Sequence, residues 1–88
     1  YEIILAKNVE KYLDKLNSKD REKIIKALEK LRIRPEHYLV RLVGEKSYKF
    51  RVGNYRIIID LNKNQLSVLV IKIGHRKNIY KWWLYYFS

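Results

Sequence analysis

The chain has no cysteine, which excludes disulfides, thiol catalysis and cysteine-ligated metal. No run approaches the roughly 18 apolar residues of a membrane span. Proline occurs once, at Pro35, and glycine three times, so no Pro/Gly/Ser-rich linker divides the sequence. The expectation is one domain over residues 1–88 with one modest core. The first residues lack a charged-then-apolar leader, and Tyr1 in place of methionine reads as a processed or trimmed start. A cytoplasmic location is expected. A hydrophobic content of 48% is too high for a disordered chain.

Acidic residues are scarce in the second half. Residues 46–88 hold nine basic side chains and a single acid, Asp60, whereas residues 1–45 hold eleven basic and eight acidic ones. Most of the net charge of +11 therefore falls on the C-terminal half. A one-sided basic field is the electrostatic footprint of a polyanion binder; the alternative is a chain kept soluble by its lysines. A membrane partner is not expected, because no basic amphipathic helix carries the excess.

Periodicity sorts the chain into elements. Residues 1–6 (YEIILA) read as a short strand. Val9, Tyr12, Leu13 and Leu16 recur at i, i+3, i+4 and i+7, one face of a helix, with Asn8 a plausible N-cap. Asn17-Ser18 breaks that helix, and either residue can cap the next, whose stripe is Ile24, Ile25, Leu28 and Leu31. The second helix is expected to stop near Arg34, because a residue before proline avoids the α region. Residues 38–43 (YLVRLV) read as an extended segment or sheet edge. Strands follow over 48–52, 55–61 and 66–73, the last apolar enough for a strand covered on both faces and ended by Gly74. Residues 78–87 predict a closing helix, with Tyr80, Trp83, Leu84 and Phe87 on one face. The predicted class is α+β, order β-α-α-β-β-β-α: a mostly antiparallel four-stranded sheet packed with an N-terminal helical hairpin and a short C-terminal helix.

Chemistry concentrates on the segment 48–56 (YKFRVGNYR). Gly53-Asn54 is a two-residue hairpin turn signal, and counting outward pairs Val52 with Tyr55, Phe50 with Ile57 and Tyr48 with Ile59. These six line one face. On the other, Arg51 sits opposite Arg56, with Lys49 two residues away. Directly opposed like charges destabilise a sheet, so an anion is the expected occupant. Arg76 follows the last strand in the segment 74–77 (GHRK). Arginine offers phosphate a planar fork and lysine a compact charge; a merely solvated basic face is the competing reading. His37 is expected to be exposed and idle. His75 is a possible catalytic side chain, but no second histidine or telling carboxylate pairs with it. No metal-ligand spacing occurs and no cofactor is expected. Tyr80, near His75 and Arg76 in sequence, could stack on a base.

The segments 42–44 (LVG), 48–60 (YKFRVGNYRIIID) and 70–80 (VIKIGHRKNIY) resemble the RelE/ParE toxin superfamily, the RelE branch in particular, and the resemblance covers nearly the whole chain. It implies the toxin of a type II toxin–antitoxin pair: a hydrolase-class mRNA interferase that enters the ribosomal A site, cuts mRNA by attack of a ribose 2′-OH on the adjacent phosphate, and so inhibits translation. It also implies a cognate RelB-like antitoxin as partner, beside the ribosome and mRNA. Carried over by position, Lys49 and Arg51 match the family's basic pair on the first hairpin strand, Arg56 its arginine on the second, Arg76 the arginine after the last strand and Tyr80 the tyrosine beyond. Arg56 and Arg76 are then assigned to transition-state stabilisation. Lys49 is a candidate base, Arg51 a candidate proton donor or charge stabiliser, and Tyr80 a stacking platform. Val43 stands where a well-studied RelE branch carries arginine, and His75 where that branch carries lysine, so Lys49, Arg51 and His75 remain alternatives for proton transfer. Two other functions stay open: a ParE-like gyrase poison and a non-catalytic RNA-binding domain.

Overall fold

Helical spacing in the first third and strand-forming residues in the second half produce the two layers of the fold. The computed structural model describes residues 1–41 and 47–77. In chain order the elements are β1 (Glu2–Leu5), α1 (Lys7–Lys15), α2 (Ser18–Glu29), a 3-10 turn (Lys30–Arg32), α3 (Pro35–Tyr38), β2 (Val40–Arg41), β3 (Ser47–Val52), β4 (Tyr55–Asn62) and β5 (Ser67–His75). The strands form one sheet in the order β1-β5-β4-β3-β2. β1 runs parallel to β5, and every other pair is antiparallel. The class is α+β, as expected, with the two-residue β2 added at the edge of the four longer strands. The predicted C-terminal helix lies outside the described residues.

The helices cover one face of the sheet. Val9, Leu13, Ile24, Leu28 and Leu31 pack with Phe50, Val52, Tyr55, Ile57, Ile59, Val68, Val70 and Ile73 into one core. Asn17 caps α2, its side chain accepting from the Asp20 N–H at 2.9 Å. Asn8 does not cap α1. The N-cap position is Ala6, and the Asn8 amide instead reaches the sheet, donating to the Ile71 carbonyl at 3.2 Å. Arg21 locks the α1–α2 junction: its guanidinium donates to the carbonyls of Leu13, Leu16 and Asp14 at 2.9, 2.8 and 3.1 Å, supplying donors at a helix end that runs short of them and sharing the Leu13 carbonyl with the Leu16 N–H.

Proline acts differently from the expectation. Regular α-helix ends at Glu29 and tightens into the 3-10 turn through Arg32. Pro35 then opens α3 from its first turn, where a missing N–H costs nothing. Tyr38 is therefore helical, and pairing begins at Val40. In the strand region Leu66 belongs to the β4–β5 loop, at φ +52°, and β5 continues through Gly74 to His75.

The hairpin register is the one that counting from Gly53-Asn54 predicts: Val52 with Tyr55, Arg51 with Arg56, Phe50 with Ile57, Tyr48 with Ile59. Gly53 sits at φ +57°, a conformation a hairpin turn of this kind requires at its first position. The strand buried on both faces is β4, where Ile57, Ile58 and Ile59 are all inaccessible, rather than β5, where Leu69 and Ile71 are only half-buried.

One irregularity sets the facing of side chains at the hairpin end of the sheet. Ile58 pairs with Lys72, but Ile59 pairs with Val70, so Ile71 is an extra residue on β5. Such a bulge shifts the facing of everything beyond it by one. Before it, Val68 and Val70 enter the core; after it, Ile73 does. Without the bulge Lys72 would point into the helices. With it, Lys72 shares a row with Lys49, and Gly74 lies beside Arg56.

Candidate functional site

Basic side chains occupy two rows on the sheet face away from the helices. The first crosses the end of the hairpin: Arg51 on β3 opposite Arg56 on β4, with Gly74 next on β5. The second is Lys49, Ile58 and Lys72 on the same three strands. The rows are two residues apart, about 7 Å at the rise of a strand. Ile58 is fully buried yet outside the helix-side core, so its flanking lysines stand on an apolar floor. Lys72 was not singled out from sequence. It follows four apolar residues, and only the bulge reveals its facing.

Arg76 joins the first row through the backbone. Its N–H donates to the Asn54 carbonyl at 2.8 Å, which ties the segment after β5 to the hairpin turn. The Arg56 guanidinium folds back over the same turn and donates to the Gly53 carbonyl at 3.1 Å. Arg56 is half-buried, while Arg51 and Arg76 are exposed. Burial lowers the pKa of Arg56 from its ordinary value, and the charges of Arg51 and Arg76 lower it further. Mutual repulsion means that the three guanidiniums share one region. Lys23 adds to it from α2: a methyl group placed on Gly53 would come within 2.9 Å of the lysine Nζ. Lys23 also escaped the sequence reading, because only tertiary packing brings α2 to the turn.

The structure does not bring His75 to this row. It pairs with Tyr55 on the helix side of β5, the ring centroids 5.4 Å apart and edge to face. Its Nδ1 accepts from the Lys77 N–H at 3.2 Å, so a neutral His75 carries its proton on Nε2. Around it stands a polar cluster within the core face. The Tyr55 hydroxyl donates to the Asp20 carboxylate at 2.8 Å, and Tyr12 packs edge to face on Tyr55 at 6.4 Å. Burial, then Asp20, then Tyr12 push the Tyr55 pKa up to about 12. Burial also raises the pKa of Tyr12, opposed by a hydrogen bond with the His75 backbone.

Tyr80 and Val43 lie outside the described residues. Asp60, the acid of the second half, accepts from the Ser47 hydroxyl at 2.8 Å. His37 is exposed, as expected, and stacks edge to face on Tyr38. Among the described residues no three His, Asp or Glu side chains gather as metal ligands, and no helix is long and apolar enough to cross a membrane. A hollow of about 770 Å³ bounded by Ile4, Asp60, Asn62 and Leu69 lies around the β4–β5 loop, at the other end of the strands from the arginine row. The candidate site is thus a set of surface cations on rigid strands, an arrangement suited to an extended anion rather than an enclosed small molecule.

The molecule is thereby a small basic α+β domain whose helices cover one sheet face and whose cations collect at the hairpin end of the other. Residues 3–80 match the family model for the ParE toxin of type II toxin–antitoxin systems, parDE. The chain belongs to that family, within the RelE/ParE toxin superfamily. No curated protein gives a significant sequence match. Among solved structures, RelE in the archaeal RelE–RelB complex from Pyrococcus horikoshii OT3 is 24% identical with a TM-score of 0.76, over 89% of this chain and 97% of that one. The intact Escherichia coli RelBE complex gives 28% identity and a TM-score of 0.70, over 85% of this chain and 95% of that one. The RelB–RelE complex from Methanococcus jannaschii gives 25% and 0.67, over 90% and 96%. The protein is a toxin of a type II toxin–antitoxin system.

Proposed function

We propose that this toxin is a ribosome-dependent endoribonuclease that cuts mRNA in the A site. The observation that carries the reading is the convergence of Arg51, Arg56 and Arg76 on one turn. In the reaction, the 2′-oxygen attacks the adjacent phosphorus. A P–O2′ bond forms, the P–O5′ bond breaks, and a cyclic phosphate and a free 5′-hydroxyl result. Charge grows on the phosphoryl oxygens at the transition state. Fixed cations stabilise it without reorganising, which Arg56 and Arg76 do in this reading. Lys49 takes the 2′-proton and Arg51 supplies charge or a proton at the leaving oxygen. The placement of His75 on the helix side, with Nδ1 occupied and a proton on Nε2 when neutral, favours Lys49 over His75 as base. Tyr80 stacks on the substrate. The need for the ribosome places the activity in the cytoplasm, with no cofactor.

The RelE relatives were solved as RelE–RelB complexes, which supports a RelB-like antitoxin as the partner of this chain too. A second reading, inhibition of gyrase, is favoured by the family model's own description as a ParE toxin. Primer extension on translated mRNA separates the two. Wild type is expected to leave cuts inside codons, and Arg76→Ala or Arg56→Ala to weaken them by roughly a hundredfold or more. Translation arrest without cuts would end the nuclease reading; inhibition of supercoiling by the pure protein would establish the gyrase one.

A further inference from the structure

The Tyr55 hydroxyl is a buried polar group that the proposed chemistry does not use. It points away from the arginine row, yet it is held from three sides. Asp20 accepts its hydrogen bond at 2.8 Å, Tyr12 packs against the Tyr55 ring, and His75 lies edge to face on that ring. Asp20 itself stands on a fixed base. It is in the first turn of α2, its N–H bonded to Asn17, and the next residue, Arg21, clamps three carbonyls at the end of α1 and the junction. On the other side, His75 is the register partner of Tyr55, and the next residue is Arg76, whose N–H meets the carbonyl of Asn54, the neighbour of Tyr55. A continuous series of contacts therefore runs from the helical junction to the arginine row.

We infer that the Asp20–Tyr55 hydrogen bond is a positioning device, holding the end of β5 so that Arg76 stands beside Arg51 and Arg56. β5 ends here with its other neighbour, β1, already left behind: β1 pairs only with the stretch from Ser67 to Val70. Among the described residues the end of β5 thus pairs with β4 alone, and two ties hold it to the helices: Tyr12 of α1, hydrogen-bonded to the His75 backbone, and Tyr55, which packs on His75 and is itself held by Asp20 of α2. Tyr55 and Asp20 act through Arg76; they are not catalytic. The catalytic consequence rests on the nuclease reading, whereas the positioning itself does not.

The test uses isotope-labelled toxin and the variants Tyr55→Phe, Asp20→Ala and Asp20→Asn. Tyr55→Phe keeps the ring, and Asp20→Asn keeps an acceptor oxygen. Hydrogen exchange of the Arg76 amide is expected to speed at least tenfold in Tyr55→Phe and Asp20→Ala, with the Ile57 amide in the middle strand unchanged and Asp20→Asn near wild type. Single-turnover cutting on ribosomes is expected to fall about tenfold in Tyr55→Phe, and Tyr55→Phe is expected to cost nothing further in an Arg76→Ala background, the non-additivity of residues acting as one unit. Equal acceleration at Ile57 and Arg76, or none at Arg76, overturns the inference. So does selective acceleration with full cutting activity. Selective acceleration in a protein whose wild type cuts nothing supports the positioning and rejects the nuclease reading instead.

Discussion

At the scale of single residues, the proposed function and stability pull in opposite directions at the hairpin. Arg51 and Arg56 face each other directly, and opposed like charges cost a few tenths to about 1 kcal/mol. Replacing Arg51 with threonine, a strand-favouring residue without charge, is expected to raise the melting temperature while abolishing growth arrest on expression; a melt and a plating assay read both. Tyr55 makes a second residue-scale prediction. Its pKa in the fold, about 12, lies above the ordinary 10.0. The folded state therefore holds this proton more tightly than the unfolded chain. Stability from this group is complete below pH 10 and falls as pH rises towards 12. Denaturant melts across that window are expected to show a shallower alkaline loss in Tyr55→Phe than in wild type. The hairpin pairing and the arginine opposition were legible because a two-residue turn leaves one register. The partner of Tyr55 was not, since Asp20 lies 35 positions away on an element whose orientation no local pattern specifies.

At the scale of elements, caps and turns carry separable contributions. Asn17→Ala removes the cap of α2 and is expected to cost about 1 kcal/mol. Arg21→Ala removes charge-assisted bonds to three carbonyls and is expected to cost about 2 kcal/mol, with urea titration ranking the two. Leu66 is the reverse case. Its positive φ strains an L side chain by about 1–2 kcal/mol, and the side chain is exposed. Leu66→Gly is expected to raise the urea midpoint. Helix and strand identity followed from spacing; cap preference narrowed the start of α2 to Asn17 or Ser18, and the structure places the cap at Asn17. The bulge at Ile71 did not, because a run of apolar residues reads the same with or without an extra member. That missed residue decided the facing of Lys72, Ile73 and His75, and with it half of the candidate site.

At the scale of the molecule, one core supports the whole arrangement. Ile57 is inaccessible in the middle strand, and Ile57→Ala is expected to cost about 2–5 kcal/mol, enough to unfold a domain of this size under mild denaturant. Loss of both the cooperative melt and toxicity would follow together, unlike Arg76→Ala, which is expected to lose toxicity with its melt intact. The basic rows make a further global statement. If they grip phosphates, affinity for single-stranded RNA falls with rising salt with a slope set by the number of neutralised phosphates. Arg56→Ala is expected to lower that slope, measured by fluorescence anisotropy between low and moderate salt.

Composition and periodicity were enough for the α+β class, the basic second half and the pairing of the hairpin, because charge is additive and strand facing alternates with period two. The convergence of Arg76 on Asn54, the approach of Lys23 to Gly53, the withdrawal of His75 to the helix side and the anchoring of Tyr55 by Asp20 depended on which strands lie side by side and where a bulge shifts them. Those are long-range choices, set by packing one core against two helices. Short-range sequence patterns carry no term for them.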